Sequence, residues 1–233
     1  MTKGLVYYTN NVPEEKILLA CQKQLKRCMK LHKFPIISVS QKPINFGINF
    51  VMDLESSIPS MFKQILKGLQ ECKTDIIFLI EHDVSYHPSH FDFTPEKADH
   101  FYYNRNEWHV SSLTGKTVYY EHNNTTELSA FRETLTAHFK RAIEANTERF
   151  HSSYGISPPR GIPPEEQKQK HYGTYMSEVC NVDIRHEDTL SRARMTKEEF
   201  RSDRARRGWA ESDGIPGWGK TLGRFDEFIR EFL

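Results

Sequence analysis

Residues 75–83 read Asp-Ile-Ile-Phe-Leu-Ile-Glu-His-Asp, an apolar run from Ile76 to Ile80 closed by two acids one residue apart. The run is short for a buried helix, and Ile76 and Ile77 are β-branched. Continuous rather than alternating hydrophobicity fits a strand covered on both faces. Such strands belong to α/β proteins, in which helices cover both sides of a mostly parallel sheet. Ligand crevices in open sheets of this kind lie outside the carboxyl ends of the strands, so Glu81 and Asp83 are expected at the mouth of a site. Carboxylates spaced i, i+2 there can converge on Mg²⁺ or Mn²⁺, which take one or two such groups plus phosphate oxygens. The plain alternative is a polar turn leaving the sheet, but charges seldom end a buried strand without partners. Alternation along an extended chain would point His82 away from its neighbours.

The flanking segments repeat the strand–helix rhythm. Leu5–Tyr8 is β-rich and ends in the polar turn Thr9-Asn10-Asn11. Pro13-Glu14-Glu15 then opens a helix, with Ile17, Leu18, Cys21, Leu25 and Cys28 at helical spacing to about Leu31. Pro35–Ser40 reads as the second strand, Lys42–Gly47 as a loop, and Ser60–Cys72 as a second helix with Met61, Ile65, Leu66 and Leu69 inward. The run ending at Glu81 is then the third strand, and right-handed crossovers make the three parallel.

The second half is less regular. Phe101–Tyr103, Trp108–Val110 and Thr117–Tyr120 look like strands, the last two joined as a hairpin through Thr114-Gly115-Lys116. Glu127–Arg149 carries a helical stripe of Leu128, Phe131, Leu135, Phe139 and Ile143. Residues 151–171, with Pro158, Pro159, Pro163, Pro164, Gly155 and Gly161, form a lid or spacer loop. Tyr172–Glu178 is expected as a short helix, Val182–Arg185 as the last strand, and His186-Glu187-Asp188 as its polar exit. Gly214–Gly219 is turn-rich, either a tail pinned on the core by Trp218 or part of an acceptor wall.

A chain of 233 residues with 15 Phe, 10 Tyr and 3 Trp can bury a substantial core, and one domain is the expectation. No apolar run approaches a membrane span and the first residues lack a secretory h-region, so a cytoplasmic protein is expected. The cysteines Cys21, Cys28, Cys72 and Cys180 form no Cys-x-x-Cys pair and read as reduced, packed thiols. A formal net charge of +1 gives no global bias toward nucleic acid. The charge is nevertheless uneven. Arg185, Arg192, Arg194, Lys197, Arg201, Arg204, Arg206 and Arg207 cluster between 185 and 207, interleaved with acids. That pattern suits a solvated, salt-bridged helix, or a surface for a diphosphate or nucleic-acid backbone.

Two histidine groups compete for attention. His87 and His90 follow Asp83 closely and, with His82, offer a zinc cluster, although no zinc signature spacing is present. His186 ends an apolar strand as Asp83 does, so the two can reach one crevice, and a satisfied surface histidine is the alternative.

An N-terminal strand ending in polar residues, a βαβαβ half and a strand closing in acid-x-acid together resemble a GT-A glycosyltransferase, similar to glycosyltransferase family 2. The phrases Ile37-Ser-Val-Ser40, Met61-Phe-Lys-Gln-Ile-Leu-Lys-Gly-Leu69 and Glu81–Phe93 also resemble glycosyltransferase-like sequences of bacteria and phages, with the likeness running through Asn181–His186. The resemblance implies a GT-A, Rossmann-like α/β fold with residues 1–95 as the nucleotide-sugar half and 96–233 as the acceptor half. It implies that Thr9, Asn10 and Ser40, with neighbouring Asn11, Lys42 and Glu81, touch the nucleotide. It also implies that Asp83, Glu81 and His186 hold Mn²⁺ or Mg²⁺ on the diphosphate of a donor such as a UDP-sugar. The base for transfer would be Glu178, with Asp188 and Glu127 as rivals. The chain departs from the usual Asp-x-Asp by placing Glu81 first, and the usual Glu-Asp pair at the base is absent. The acceptor would be a glycan or lipid-linked sugar, or a hydroxymethylated base in phage DNA docked on the 185–207 segment, and the 151–171 loop would close over the donor. The rival readings are a metal hydrolase built on Glu81, Asp83, His87 and His90, and a binding module without turnover.

Overall fold

The computed structural model describes residues 1–144, 172–189 and 194–232. The run Ile76–Ile80 is fully buried and lies inside a strand, as its composition requires. Each of these side chains gains about 1.5–3 kcal/mol on leaving water, against roughly 1–2 kcal/mol per residue for fixing the backbone.

Strands β1 (Lys3–Thr9), β2 (Ile36–Ser40), β3 (Ile48–Val51) and β4 (Ile76–Glu81) alternate with helices α1 (Glu15–His32) and α2 (Ile58–Glu71). α1 buries Ile17, Cys21, Leu25 and Cys28, the stripe its periodicity marks out. α2 starts where the Ser57 side chain accepts a hydrogen bond from the Ser60 amide and Pro59 pre-sets the first turn. β1 pairs in parallel with both β2 and β4, so β1 and β4 finish side by side, Tyr8 opposite Glu81.

A short strand β5 (Val84–Ser85) follows, then β6 (Phe101–Asn104), β7 (Glu107–Ser111), β8 (Thr117–Tyr119), β9 (Leu128–Phe131), α3 (Arg132–Glu144), β10 (Tyr172–Tyr175) and β11 (Asn181–Arg185). The chain closes with β12 (Ala210–Ser212), β13 (Gly214–Ile215), β14 (Gly219–Lys220) and α4 (Phe225–Phe232). The main sheet runs β10-β6-β9-β4-β1-β2-β3, and a second sheet runs β12-β8-β7-β11-β5. β9 alone lies antiparallel to its neighbours in the main sheet, between β4 and β6.

Four expectations are corrected here. The segment after Gly47 forms β3, so the strand ending at Glu81 is the fourth rather than the third. Leu128 to Phe131 forms a central strand rather than the start of the expected helix, because burial between β4 and β6 overrides a helical apolar period. Tyr172–Tyr175 is a strand parallel to β6, not a short helix. The Arg-rich segment forms 3-10 turns at Lys197–Glu199 and Asp203–Arg206 rather than one helix. The loop over 151–171 and the continuation of the helix past 144 lie outside the described residues.

Other readings hold. The 117–120 segment pairs antiparallel with β7 through the Thr114–Lys116 turn, and all four cysteines are free and buried. The tail is pinned on the core: Trp218 Nε1 donates to the Cys180 carbonyl at 2.8 Å, and Ile215, Phe225, Phe228 and Ile229 pack with Ile17, Ala20 and Cys21 of α1. Among the described residues no helix is long and apolar enough to cross a membrane.

Candidate metal centre and ligand crevice

β4 ends at Glu81, and the chain turns at His82-Asp83 before entering the second sheet as β5. β5 pairs antiparallel with β11, Val84 opposite Asp183, and the Ile184 amide extends that ladder by donating to the Asp83 carbonyl at 2.9 Å. The ladder therefore carries the residue after β11, His186, to the corner where Asp83 sits. His186 Nε2 lies 3.4 Å from Asp83 Oδ2 and His82 Nε2 lies 3.9 Å from the same oxygen. Ligand atoms of His82, Asp83 and His186 all fall within 4.8 Å of one another, and all three residues are buried.

The sequence expectation for the cation was Asp83, Glu81 and His186. The structure brings Asp83 and His186 together, and His82 rather than Glu81 lies with them, because the turn after Glu81 ends the alternation that would have sent His82 away. Glu81 lines the same crevice without joining the cluster. Burial, reinforced by the charges of Asp83 and Asp183, raises its carboxyl well above the ordinary range, against the opposing pull of Arg185. Burial would also raise Asp83, but His82, His186 and Arg185 outweigh it and hold that carboxyl low. Burial lowers His82, against the opposing pull of Asp83.

The crevice is lined by Asn10 after β1, Ile58, Met61 and Phe62 of α2, Glu81–Asp83, Asn124–Thr126 before β9, and Asp183, Arg185, Asp188 and Thr189. It opens between the two sheets, beside the carboxyl ends of β1 and β4. Arg185, counted from sequence with the basic surface, is buried here and clamps Asp183 at 2.6 Å. Asp183 and Arg185 were missed, yet charges alternating on an expected buried strand were a readable signal of a polar face.

The remaining expected residues separate into those at the crevice and those away from it. Asn10 lines it, with its carbonyl oxygen held by the Val12 amide and its amide on Ser56. Thr9 and Asn11 shape the turn behind: Thr9 Oγ1 accepts from the Asn11 amide, and Asn11 Oδ1 accepts from the amides of Gln41 and Lys42. Ser40 is buried against Asn49 and ties β2 to β3. Of the three candidate bases, only Asp188 lines the crevice, and it is exposed. Glu178 is exposed elsewhere. Glu127 is fully buried, gripped by Asn181 Nδ2 at 3.0 and 2.8 Å. Burial and the neighbouring Glu107 raise its carboxyl well above the ordinary range.

His90 is also buried and does not approach Asp83's cluster. Its Nδ1 meets Asn104, Asn181 and the Tyr175 hydroxyl at 3.1–3.2 Å. Burial lowers it to about 3, so its ring is neutral where it approaches Glu127 at 3.4 Å. His87 binds Ser89. The four ligands of the hydrolase reading are therefore not brought together.

Solved structures share this architecture. The chain is similar to a glycosyltransferase involved in the glycosylation of the major capsid of PBCV-1, with a TM-score of 0.50 and 10% identity over 78% of this chain and 92% of that one. The fold is GT-A-like. A mutant Drosophila β1,4-galactosyltransferase 7 in complex with manganese, UDP-Gal and xylobiose matches more loosely, with a TM-score of 0.39 and 12% identity over 73% of this chain and 75% of that one. No protein-family model matches the sequence, and no curated protein matches it. In this GT-A-like frame the crevice lies where open α/β sheets bind ligands, beyond the carboxyl ends of parallel strands.

Proposed function

We propose that the chain is a metal-dependent glycosyltransferase that moves a sugar from a nucleotide-diphosphate sugar, such as a UDP-sugar, to an acceptor hydroxyl on a glycan. The observation that carries this reading is the convergence of His82, Asp83 and His186 beside a crevice in a GT-A-like fold. The donor set fits a divalent cation: Asp83 supplies the anion, with His186 Nε2 at 3.4 Å and His82 Nε2 at 3.9 Å from its Oδ2, and all three residues are buried. Two imidazoles favour Mn²⁺ over the harder Mg²⁺. When bound, such an ion offsets the charge that develops on a departing nucleoside diphosphate.

The chain's own groups supply the rest. Asn10 and Glu81 offer hydrogen bonds on the β1–β4 side of the crevice. Asp183 is occupied by Arg185 at 2.6 Å, which leaves the exposed Asp188 as base for the acceptor hydroxyl. The Asp188 amide donates to His186 Nδ1 at 3.3 Å, so the ring now carries its proton on Nε2, toward Asp83. Metal ligation through Nε2 requires the other tautomer and releases that long bond, which couples metal loading to the turn bearing Asp188.

A screen for nucleoside-diphosphate release from nucleotide sugars with Mn²⁺ tests the activity. Asp83→Asn is expected to lower it by at least about 100-fold, and turnover unchanged in that variant would contradict the metal assignment. Duplex DNA as acceptor would instead show a steep salt dependence of binding, carried by exposed Arg201, Arg204 and Arg207.

A further inference from the structure

Behind the crevice, β7, β8 and the segment following β8 enclose a second set of ligands that the proposed transfer does not use. Glu107 and His109 point the same way from β7, and His122 follows β8. One ligand atom from each lies within 4.8 Å of the other two. Glu107 is 1% exposed and His109 0%, whereas the His122 side chain is 26% exposed and gives the set a path to solvent.

The hydrogen bonds around the two rings determine which nitrogens carry protons. His109 Nδ1 faces Asp183 Oδ2 at 3.2 Å. Arg185 nitrogens also lie 3.4 Å from that Nδ1, but Arg185 already clamps Asp183, and a bare Nδ1 lone pair would oppose the carboxylate. Nδ1 of His109 therefore carries its proton and donates it to Asp183. His122 Nδ1 faces the Tyr120 carbonyl at 3.1 Å, an acceptor that also requires a proton on the ring nitrogen. His109 Nε2 is left as a fully buried nitrogen without a hydrogen-bond partner, and the nearest acceptor to His122 Nε2 is the Glu107 carboxylate. His122 Nε2 lies 3.1 Å from Glu107 Oε2, where a lone pair against a carboxylate is repulsive unless a cation stands between them.

This is the arrangement of a prepared metal site. Metal-bound imidazoles characteristically donate their other N–H to a carboxylate or carbonyl, and ligating carboxylates are themselves hydrogen-bonded. Glu107 meets the second condition: Oε1 accepts from the Thr126 hydroxyl at 2.9 Å and Oε2 from the Asn124 amide at 3.4 Å. Two histidines and a glutamate with one position open make up a zinc-type set. The adjacent charges do not oppose a dication, since Arg185 is balanced by Asp183 and Glu107 contributes a net negative charge.

We propose that Glu107, His109 and His122 bind a transition-metal dication of zinc type, separate from the cation of the Asp83 cluster. Because Asn124 and Thr126 hold Glu107 and also line the crevice, this second ion would pin the crevice wall. The inference does not depend on glycosyl transfer.

Metal content of the purified chain, Co²⁺ titration followed by visible absorption, and thermal shift with Zn²⁺ test it together. The wild type and Asp83→Asn are expected to retain tightly bound zinc and to give the intense absorption of low-coordinate cobalt. His122→Gln, at the most exposed ligand, is expected to weaken that binding by at least about 100-fold while leaving the far-ultraviolet circular dichroism unchanged. Nitrogen-15 spectra of metal-free protein guard against a folding artefact by reporting the ring directly. An Nδ1–H tautomer of His122 that shifts on zinc addition supports the site. A doubly protonated ring indifferent to zinc would mean a plain His122–Glu107 ion pair and overturn it. Wild-type-like zinc affinity in His122→Gln, or loss of all zinc in Asp83→Asn, would overturn it as well.

Discussion

Asp83 and Glu81 stand one residue apart in the chain, and their surroundings push their carboxyls in opposite directions. Asp83 has two imidazoles near one oxygen, while Glu81 is buried with the charges of Asp83 and Asp183 near it. The residue-scale expectation is that Glu81→Gln, which keeps the shape of the protonated acid, retains most donor binding, whereas Asp83→Asn abolishes metal dependence. Isothermal titration of Mn²⁺ into both variants checks it, and equal losses would contradict the assignment. Glu127 gives a second expectation. Its folded pKa is raised, so its favourable contribution is fully present below the unfolded glutamate value near 4.5 and is lost as pH rises toward the folded value. Glu127→Gln keeps an acceptor for Asn181 without ionising. Denaturant unfolding between pH 5 and 8 should therefore show a shallower decline for this variant than for the wild type, and an equal slope would place the charge elsewhere.

Among the elements, β4 was readable because a run of large apolar residues between polar ones has few other uses, and α1 and α2 announced themselves through period and caps. β9 was not readable. Its Leu128 and Phe131 continue the helical stripe of α3, and only the gap between β4 and β6 makes that segment extended. The same limit applied to the site: Asp83 and His186 follow strands and can be paired from sequence, but His82 joins them through a turn that no periodicity announces. Glu107 and His109 alternate on β7, a pattern visible in the chain, yet the loop returning His122 to them is long-range information. Packing between elements sets a further expectation. Gly68 brings α2 against β1 so closely that a methyl group would collide with Val6. Gly68→Ala should cost about 1–3 kcal/mol by overpacking, read as a lower denaturation midpoint with unchanged slope, and a neutral result would mean the helix shifts freely. Gly115 sits at φ +69° with its Cα against the Thr221 carbonyl. Gly115→Ala should therefore cost more than about 1 kcal/mol.

For the molecule as a whole, two sheets meet along β4–β5 and β11, and the crevice is the seam between them. A donor and a cation that bind only the folded seam must stabilise the entire chain by mass action. The most direct measurement is thermal unfolding across a panel of nucleotide-diphosphate sugars, with and without Mn²⁺, in the wild type and in Asp83→Asn. At a donor concentration about 100 times Kd the stabilisation is about 2.7 kcal/mol, which for a domain of this size raises Tm by roughly 5–10 °C. The expected result is one donor that gives such a rise in the wild type only when Mn²⁺ is present, and none in Asp83→Asn. A panel without any stabilising donor, or a rise of equal size in Asp83→Asn, would contradict the account.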